Sequence, residues 1–141
     1  MKRYLLDTAL VAGFLHGREK AVKLITPMVK RHETATSMLV YAEVTEYLKG
    51  FPSTKYTKFH SQLLLLLQEI TPYPLTYPIL ETYADIRRML RPPAGKGLIG
   101  DIDRLIAATA LDRNLMIITV DRDFERVPNL KLKLVDLSAA S

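Results

Sequence analysis

The amino-acid sequence predicts an α/β sandwich built on a mostly parallel sheet, and two stretches carry that expectation. Ile99 to Phe124 joins an apolar helix, Asp101 to Arg113, to a short branched strand, Leu115 to Thr119, which runs straight into acids. The opening Arg3-Tyr4-Leu5-Leu6 reads as a second apolar strand, and it too ends on an acid, Asp7. Strands separated by helical segments pair in parallel through crossovers. In such sheets, sites form where the carboxyl ends of the strands meet.

The remaining elements follow in chain order. Thr8 stands as an N-cap for a short helix, Ala9 to His16, closed by Gly17. Arg18 to Arg31 is amphipathic, with Ala21, Val22, Leu24, Ile25, Met28 and Val29 inward; Pro27 is expected to kink or restart it. A very short strand around Thr34 to Thr36 comes next. Ser37 then caps a long helix to Lys49, ended by Gly50 and Pro52. Ser53 to Ile70 is a helix dense in leucine, whose stripe of Phe59, Leu63, Leu66, Leu67 and Ile70 reads as core, or as an interface where exposed. Thr71 to Pro78 holds three prolines and is read as irregular or extended. Ile79 to Leu90 is helical, with Arg87, Arg88 and Arg91 at the end where positive charge suits the helix dipole. A loop from Arg91 to Gly97 leads into the Asp101 helix. Asn114 sits where a left-handed cap is wanted. The run LMIIT suits a central parallel strand, and Leu132 to Leu137 an edge strand.

Composition sets the outer bounds. A chain of 141 residues is read as one domain, 1–141, large enough to bury a core. Apolar residues make up 48% and charged residues 25%, ordinary proportions for a globular protein. The opening MKRYLLDT carries no leader pattern, and the longest aliphatic run, Leu63 to Leu67, is far short of a membrane span. No cysteine is present, which excludes disulfides and thiolate metal sites and suits a reducing cytoplasmic compartment. The net charge of +5 favours a polyanionic partner.

Against that basic background, four acids share a context: Asp7 after the first strand, Glu43 within the Ser37 helix, Asp103 at a helix start and Asp121 after the LMIIT strand. Carboxylates brought together repel unless cations or shared protons compensate. Ligands that are all oxygen select Mg²⁺ or Mn²⁺ over zinc. Spacing alone does not bring these acids to one point.

Four motifs carry a family resemblance. Leu5-Leu6-Asp7-Thr8 resembles the opening of a PIN domain, specifically of VapC-type toxin ribonucleases. The Ser37 to Glu43 spacing, the run Ile99-Gly100-Asp101-Ile102-Asp103-Arg104-Leu105-Ile106-Ala107-Ala108, and Thr119-Val120-Asp121-Arg122-Asp123-Phe124 resemble the family's later motifs in the same order. The resemblance covers essentially the whole chain. It implies a three-layer α/β/α sandwich with a central sheet of four to five strands. It also implies a site of Asp7, Glu43, Asp103 and Asp121 holding Mg²⁺, with Mn²⁺ as substitute, and endoribonuclease activity on RNA. A homodimer and a cognate antitoxin are implied as partners, with no membrane.

Several roles stay open at this level. Asp101 reads first as an N-cap and otherwise as a metal-side acid beside Asp103. Asp123 either reaches a metal through water or holds the loop before Phe124, whose ring reads as core. Thr8, Ser37 and Thr119 carry hydroxyls that either orient carboxylates or serve as caps. Arg87, Arg88, Arg91, Lys96, Arg104 and Arg122 line an RNA path or form an ordinary basic face. The Phe59 to Ile70 stripe, with Tyr41 and Tyr47, is core or a dimer or antitoxin surface. His16, His32 and His60 have no metal-binding spacing. Two other readings remain: an RNA-binding PIN-like module without turnover, and a phosphoacceptor receiver-like domain. The second would need a lysine after a late strand, where only Lys133 is offered, inside the strand.

Overall fold

Five strands, all parallel, form the centre of the computed structural model, which describes residues 1–93, 95 and 97–138. Their order is β3-β2-β1-β4-β5, with β1 Tyr4–Leu6, β2 Thr34–Ser37, β3 Thr71–Tyr73, β4 Met116–Thr119 and β5 Leu132–Leu134. The helices are α1 Thr8–Leu15, α2 Glu19–Lys30, α3 Met38–Leu48, α4 Ser53–Leu66, α5 Tyr77–Leu90 and α6 Asp101–Arg113. α1 packs on α2, α3 and α4, while α5 lies along α6. The fold is thus the expected α/β sandwich, with its sheet wholly rather than mostly parallel.

The first strand sits in the middle of the sheet and is apolar, as that place requires. Leu5 and Leu6 are fully buried, and Leu5 lies beside Ala35 on one side and Ile117 on the other. Ile117 and Ile118 are likewise fully buried, as a strand covered on both faces requires. With every strand pointing the same way, Asp7, Ser37 and Thr119 all fall at one carboxyl edge. The return from β4 to β5 needs a crossover of about a dozen residues. A 3₁₀ helix, Arg122–Arg126, occupies part of it, anchored by the fully buried ring of Phe124. Phe124 is therefore core, as read from the sequence.

Several boundaries differ from the sequence reading. Thr71–Tyr73 forms a strand despite Pro72, because it lies at the sheet edge, where a missing amide donor is tolerated. The cap of α1 is Asp7, whose side chain accepts from the Thr8 amide, and Thr8 is the first helical residue. Pro27 does not divide α2, which runs unbroken with Pro27 on its exposed side. α4 ends at Leu66, and of its stripe Leu63 and Ile70 are buried while Phe59, Leu66 and Leu67 are half-buried. Ser37 caps α3 as expected, accepting from the Leu39 amide at 3.1 Å. No helix is long and apolar enough to cross a membrane among the described residues.

Asn114 ends α6 in the left-handed conformation, φ 55° and ψ 49°, and its Oδ1 accepts from Lys131 Nζ at 2.8 Å. An alanine there would set its Cβ against the following carbonyl. Asn114→Ala should cost about 1 kcal/mol in urea unfolding, whereas Asn114→Gly should stay within about 0.5 kcal/mol of wild type.

Candidate functional site

The carboxyl edge of the sheet carries a hydrogen-bonded chain of acids and threonines. Asp7 follows β1 and is 7% exposed. Its Oδ1 accepts from the Thr8 amide at 2.8 Å and its Oδ2 accepts from Thr119 Oγ1 at 2.7 Å. Thr119, fully buried at the end of β4, also accepts from the Asp121 amide at 3.1 Å. Asp121 in turn caps the 3₁₀ helix, with Oδ1 accepting from the Asp123 amide at 2.8 Å. On the other side, Thr8 Oγ1 donates to Glu43 Oε1 at 2.5 Å, tying α3 to the start of α1. The hydroxyls of Thr8 and Thr119 therefore do orient carboxylates. That of Ser37 is engaged with the Leu39 amide as a cap.

Asp103 closes the arrangement from the first turn of α6. One carboxylate oxygen from each of Asp103, Asp121 and Asp123 falls within 4.8 Å of the others. Asp7 and Glu43 stand near enough to act on them. Burial first, and then the charges of Asp7, Asp121, Glu43 and Asp123, push the Asp103 carboxyl from the ordinary 3.8 up to about 6. Asp7 is also raised, chiefly by burial, with Glu43 and Asp121 adding to it. The bonds from Thr119 and Thr8 pull the other way without cancelling the rise. Among the described residues the one ion pair to this group is Arg126 Nη2 to Asp123 Oδ1, at 3.7 Å. The four acids named from the sequence are thus brought together, and Asp123 joins them as part of the tightest oxygen triplet. Its donor chemistry, carboxylate oxygen alone, fits a hard divalent cation and not zinc.

Other sequence readings change here. Asp101 is not the cap of α6: Gly100 holds that position, and Asp101 is the first helical residue. Its Oδ1 accepts from Arg104 and from the Tyr83 hydroxyl, so it faces away from the oxygen triplet into its own pair. Arg104 is no surface contact for RNA. It is 4% exposed, bonded to Asp101 and stacked over the Tyr83 ring with its Cζ 5.1 Å from the centroid. Its Nε and Nη1 have no hydrogen-bond partner among the described residues. Arg87, Arg88 and Arg91 are exposed, and so is Arg122, which pairs with Glu125 at 3.3 Å. Lys96 lies outside the described residues. His60 is paired with the Tyr41 hydroxyl at 3.0 Å, and no histidine joins the acids among the described residues. Lys133 is exposed on β5. Arg18, which lines a hollow with Val120 and Arg122 beside Asp121, reads in the sequence only as a helix start after Gly17.

A family model described as PIN domain matches residues 4–130. No curated protein matches the chain at significance. Among solved structures, the chain is similar to VapBC2 from Rickettsia felis bound to a DNA fragment from their promoter, with 24% identity, 94% of this chain and 98% of that one covered, and a TM-score of 0.81. It is similar to VapBC-1 from nontypeable Haemophilus influenzae, with 24% identity, coverage of 93% and 96%, and a TM-score of 0.77. It is also similar to VapBC-5 from Mycobacterium tuberculosis, a member of the VapBC family of toxin-antitoxin systems, with 20% identity, coverage of 96% and 98%, and a TM-score of 0.66. At these identities the likeness concerns the fold.

Two outcomes follow from the geometry. Because the fold raises the Asp103 pKa, the protonated acid stabilises it; that contribution is full below 3.8 and lost as pH rises through about 6. Metal-free protein should therefore melt a few degrees lower at pH 7 than at pH 5, and Asp103→Asn should flatten that slope in a thermal melt. Replacing Thr119 by valine removes the donor to buried Asp7 and the acceptor for Asp121. Thr119→Val should cost about 1–3 kcal/mol in denaturant unfolding.

Proposed function

The chain belongs to the PIN domain family, and from that premise we propose that it is a divalent-metal-dependent endoribonuclease acting as the toxin of a toxin–antitoxin pair. The observation that carries this reading is the oxygen triplet of Asp103, Asp121 and Asp123 beside Asp7 and Glu43. So many carboxylates with so little basic compensation make a site whose charge calls for a cation. Mg²⁺ is the proposed ion and Mn²⁺ its substitute, held by Asp7, Glu43, Asp103, Asp121 and Asp123. Such an ion, when bound, supplies an activated water and charge compensation for phosphodiester hydrolysis.

The chain's own residues prepare that chemistry by holding the acids still. Thr119 and the Thr8 amide fix both oxygens of Asp7, and the Thr8 hydroxyl fixes Glu43. The amide of Asp123 fixes Asp121. Acids placed in advance need no reorganisation when substrate arrives. Asp103, raised to about 6, is an acid that readily keeps a proton while the charge is uncompensated. Exposed Arg87, Arg91 and Arg122, on a chain of net charge +5, are the proposed contacts to the RNA backbone.

The partners belong to the same proposal. A cognate antitoxin is supported by the toxin–antitoxin assemblies that the fold resembles. We further propose a homodimer, a single domain over 1–141 and a cytoplasmic location. The receiver-like alternative falls with membership of the PIN family.

The test is cleavage of a mixed tRNA and ribosomal RNA pool with Mg²⁺ or Mn²⁺. Wild type should release fragments that vanish with chelator. Thr119→Val should lower the rate roughly 10- to 100-fold, the usual cost of losing a group that supports a metal ligand. Folded Asp7→Asn and Asp103→Asn should lose more than that. Undiminished cleavage by either asparagine variant would remove the proposed site, and tight RNA binding with no cleavage under either ion would make the protein a binding module.

A further inference from the structure

A hollow of about 340 Å³ opens directly beside the acids, between α1 and α3. Small side chains leave it open: Ala9, Ala12 and Gly13 of α1 line it together with Val44 of α3. Its polar end is Thr8, whose hydroxyl is bonded to Glu43. Its other end is aromatic, formed by His16 and Tyr47. The helical spacing explains the order. Thr8, Ala12 and His16 follow one another at four-residue steps on α1 and its cap, and Glu43 and Tyr47 stand four apart on α3. Each helix therefore leads from the acid edge to an aromatic ring, over about 12 Å along α1.

The aromatic end is held in place and left uncovered. Tyr47 is 57% exposed, yet its ring is braced edge-on by Phe51 at 5.3 Å and by His16 at 5.9 Å. His16 rests in turn on Phe59 at 4.6 Å, and its Nε2 has no hydrogen-bond partner among the described residues. Burial, with Lys55 nearby, lowers the His16 pKa, so the ring is neutral at pH 7. Arg18 reaches the rim, anchored by a bond from Nη2 to the Leu137 carbonyl at 2.6 Å. The same Arg18 borders a second hollow whose lining includes Val120 and Arg122, the neighbours of Asp121. A cation thus stands at the rim of both hollows.

We propose that the hollow between α1 and α3 receives one unpaired nucleobase of the RNA strand, stacked on Tyr47, while Arg18 holds an adjoining phosphate. This rests on the ribonuclease reading above and adds a base-recognition subsite to it. An apolar hollow with a braced aromatic wall suits a base, and a base takes that wall without regard to sequence. Arg18 supplies the charge that the neighbouring phosphate requires. Small residues at Ala9, Ala12 and Gly13 keep the slot wide enough.

The probes are fluorescent single-stranded oligoribonucleotides of one base each, and matched strands with an abasic site, titrated in anisotropy. All proteins carry Asp7→Asn so that no strand is cut. Tyr47→Ala should weaken binding of base-bearing strands roughly 5- to 150-fold, the range for one lost base–aromatic stack, and leave an abasic strand unchanged. Tyr47→Phe should restore it, and Ala12→Leu, which fills the slot, should mimic Tyr47→Ala. Arg18→Ala should weaken both strands alike. RNA binding that is the same in Tyr47→Ala and Ala12→Leu as in their parent would overturn the base subsite and give the hollow to an apolar protein side chain. No RNA binding by the parent, with no cleavage by wild type, would instead overturn the ribonuclease reading on which the subsite rests.

Discussion

Mutual repulsion among carboxylates is the constraint around which this protein is arranged. A parallel sheet delivers Asp7 and the β4 acids to one edge, and the helices that follow add Glu43 and Asp103. Burying them together costs free energy, visible in the raised pKa values of Asp7 and Asp103, to which burial contributes first and the neighbouring acids then add. The fold accepts that cost by spending neutral donors on the acids. Thr8 and Thr119 each bond a carboxylate, and the amides of Thr8 and Asp123 bond two more oxygens. Such donors fix the orientation of a carboxylate without neutralising it, so the net negative charge stays available to a cation.

Among the described residues only Arg126 pairs with that centre, at Asp123. Arg104, the nearest in sequence to Asp103, is turned under α5, where Asp101 and the Tyr83 ring receive it. Two of its nitrogens go without hydrogen-bond partners among the described residues, an expensive arrangement for a buried group. The exposed cations Arg18, Arg87, Arg91 and Arg122 make no ion pair with the acids of the centre among the described residues, which lets a basic chain carry an acidic centre.

How much of this was legible depended on whether the signal was local. Ser37 and Asn114 were read correctly because capping chemistry is decided within one turn of chain. The core strands were legible because Leu5, Leu6, Ile117 and Ile118 leave no polar face. β3 was not, since Pro72 argues against a strand until its place at the sheet edge is known. The acids of the site were named by resemblance and order along the chain; their convergence is a matter of topology, which spacing does not encode. Asp101 and Arg104 failed for a related reason. A helix start suggests a cap, and a basic residue suggests a surface, but Tyr83, far from both in the chain, bonds Asp101 and stacks on Arg104.

Asp7 holds two posts at once, as a carboxylate of the centre and as the cap that starts α1. Asparagine caps a helix as well as aspartate does, while alanine does not. Charge and scaffold can therefore be separated at this position by a single nitrogen-for-oxygen exchange. A descendant of this chain could give up that charge and keep its architecture intact, whereas truncating the same side chain would remove the charge and loosen the first helix together.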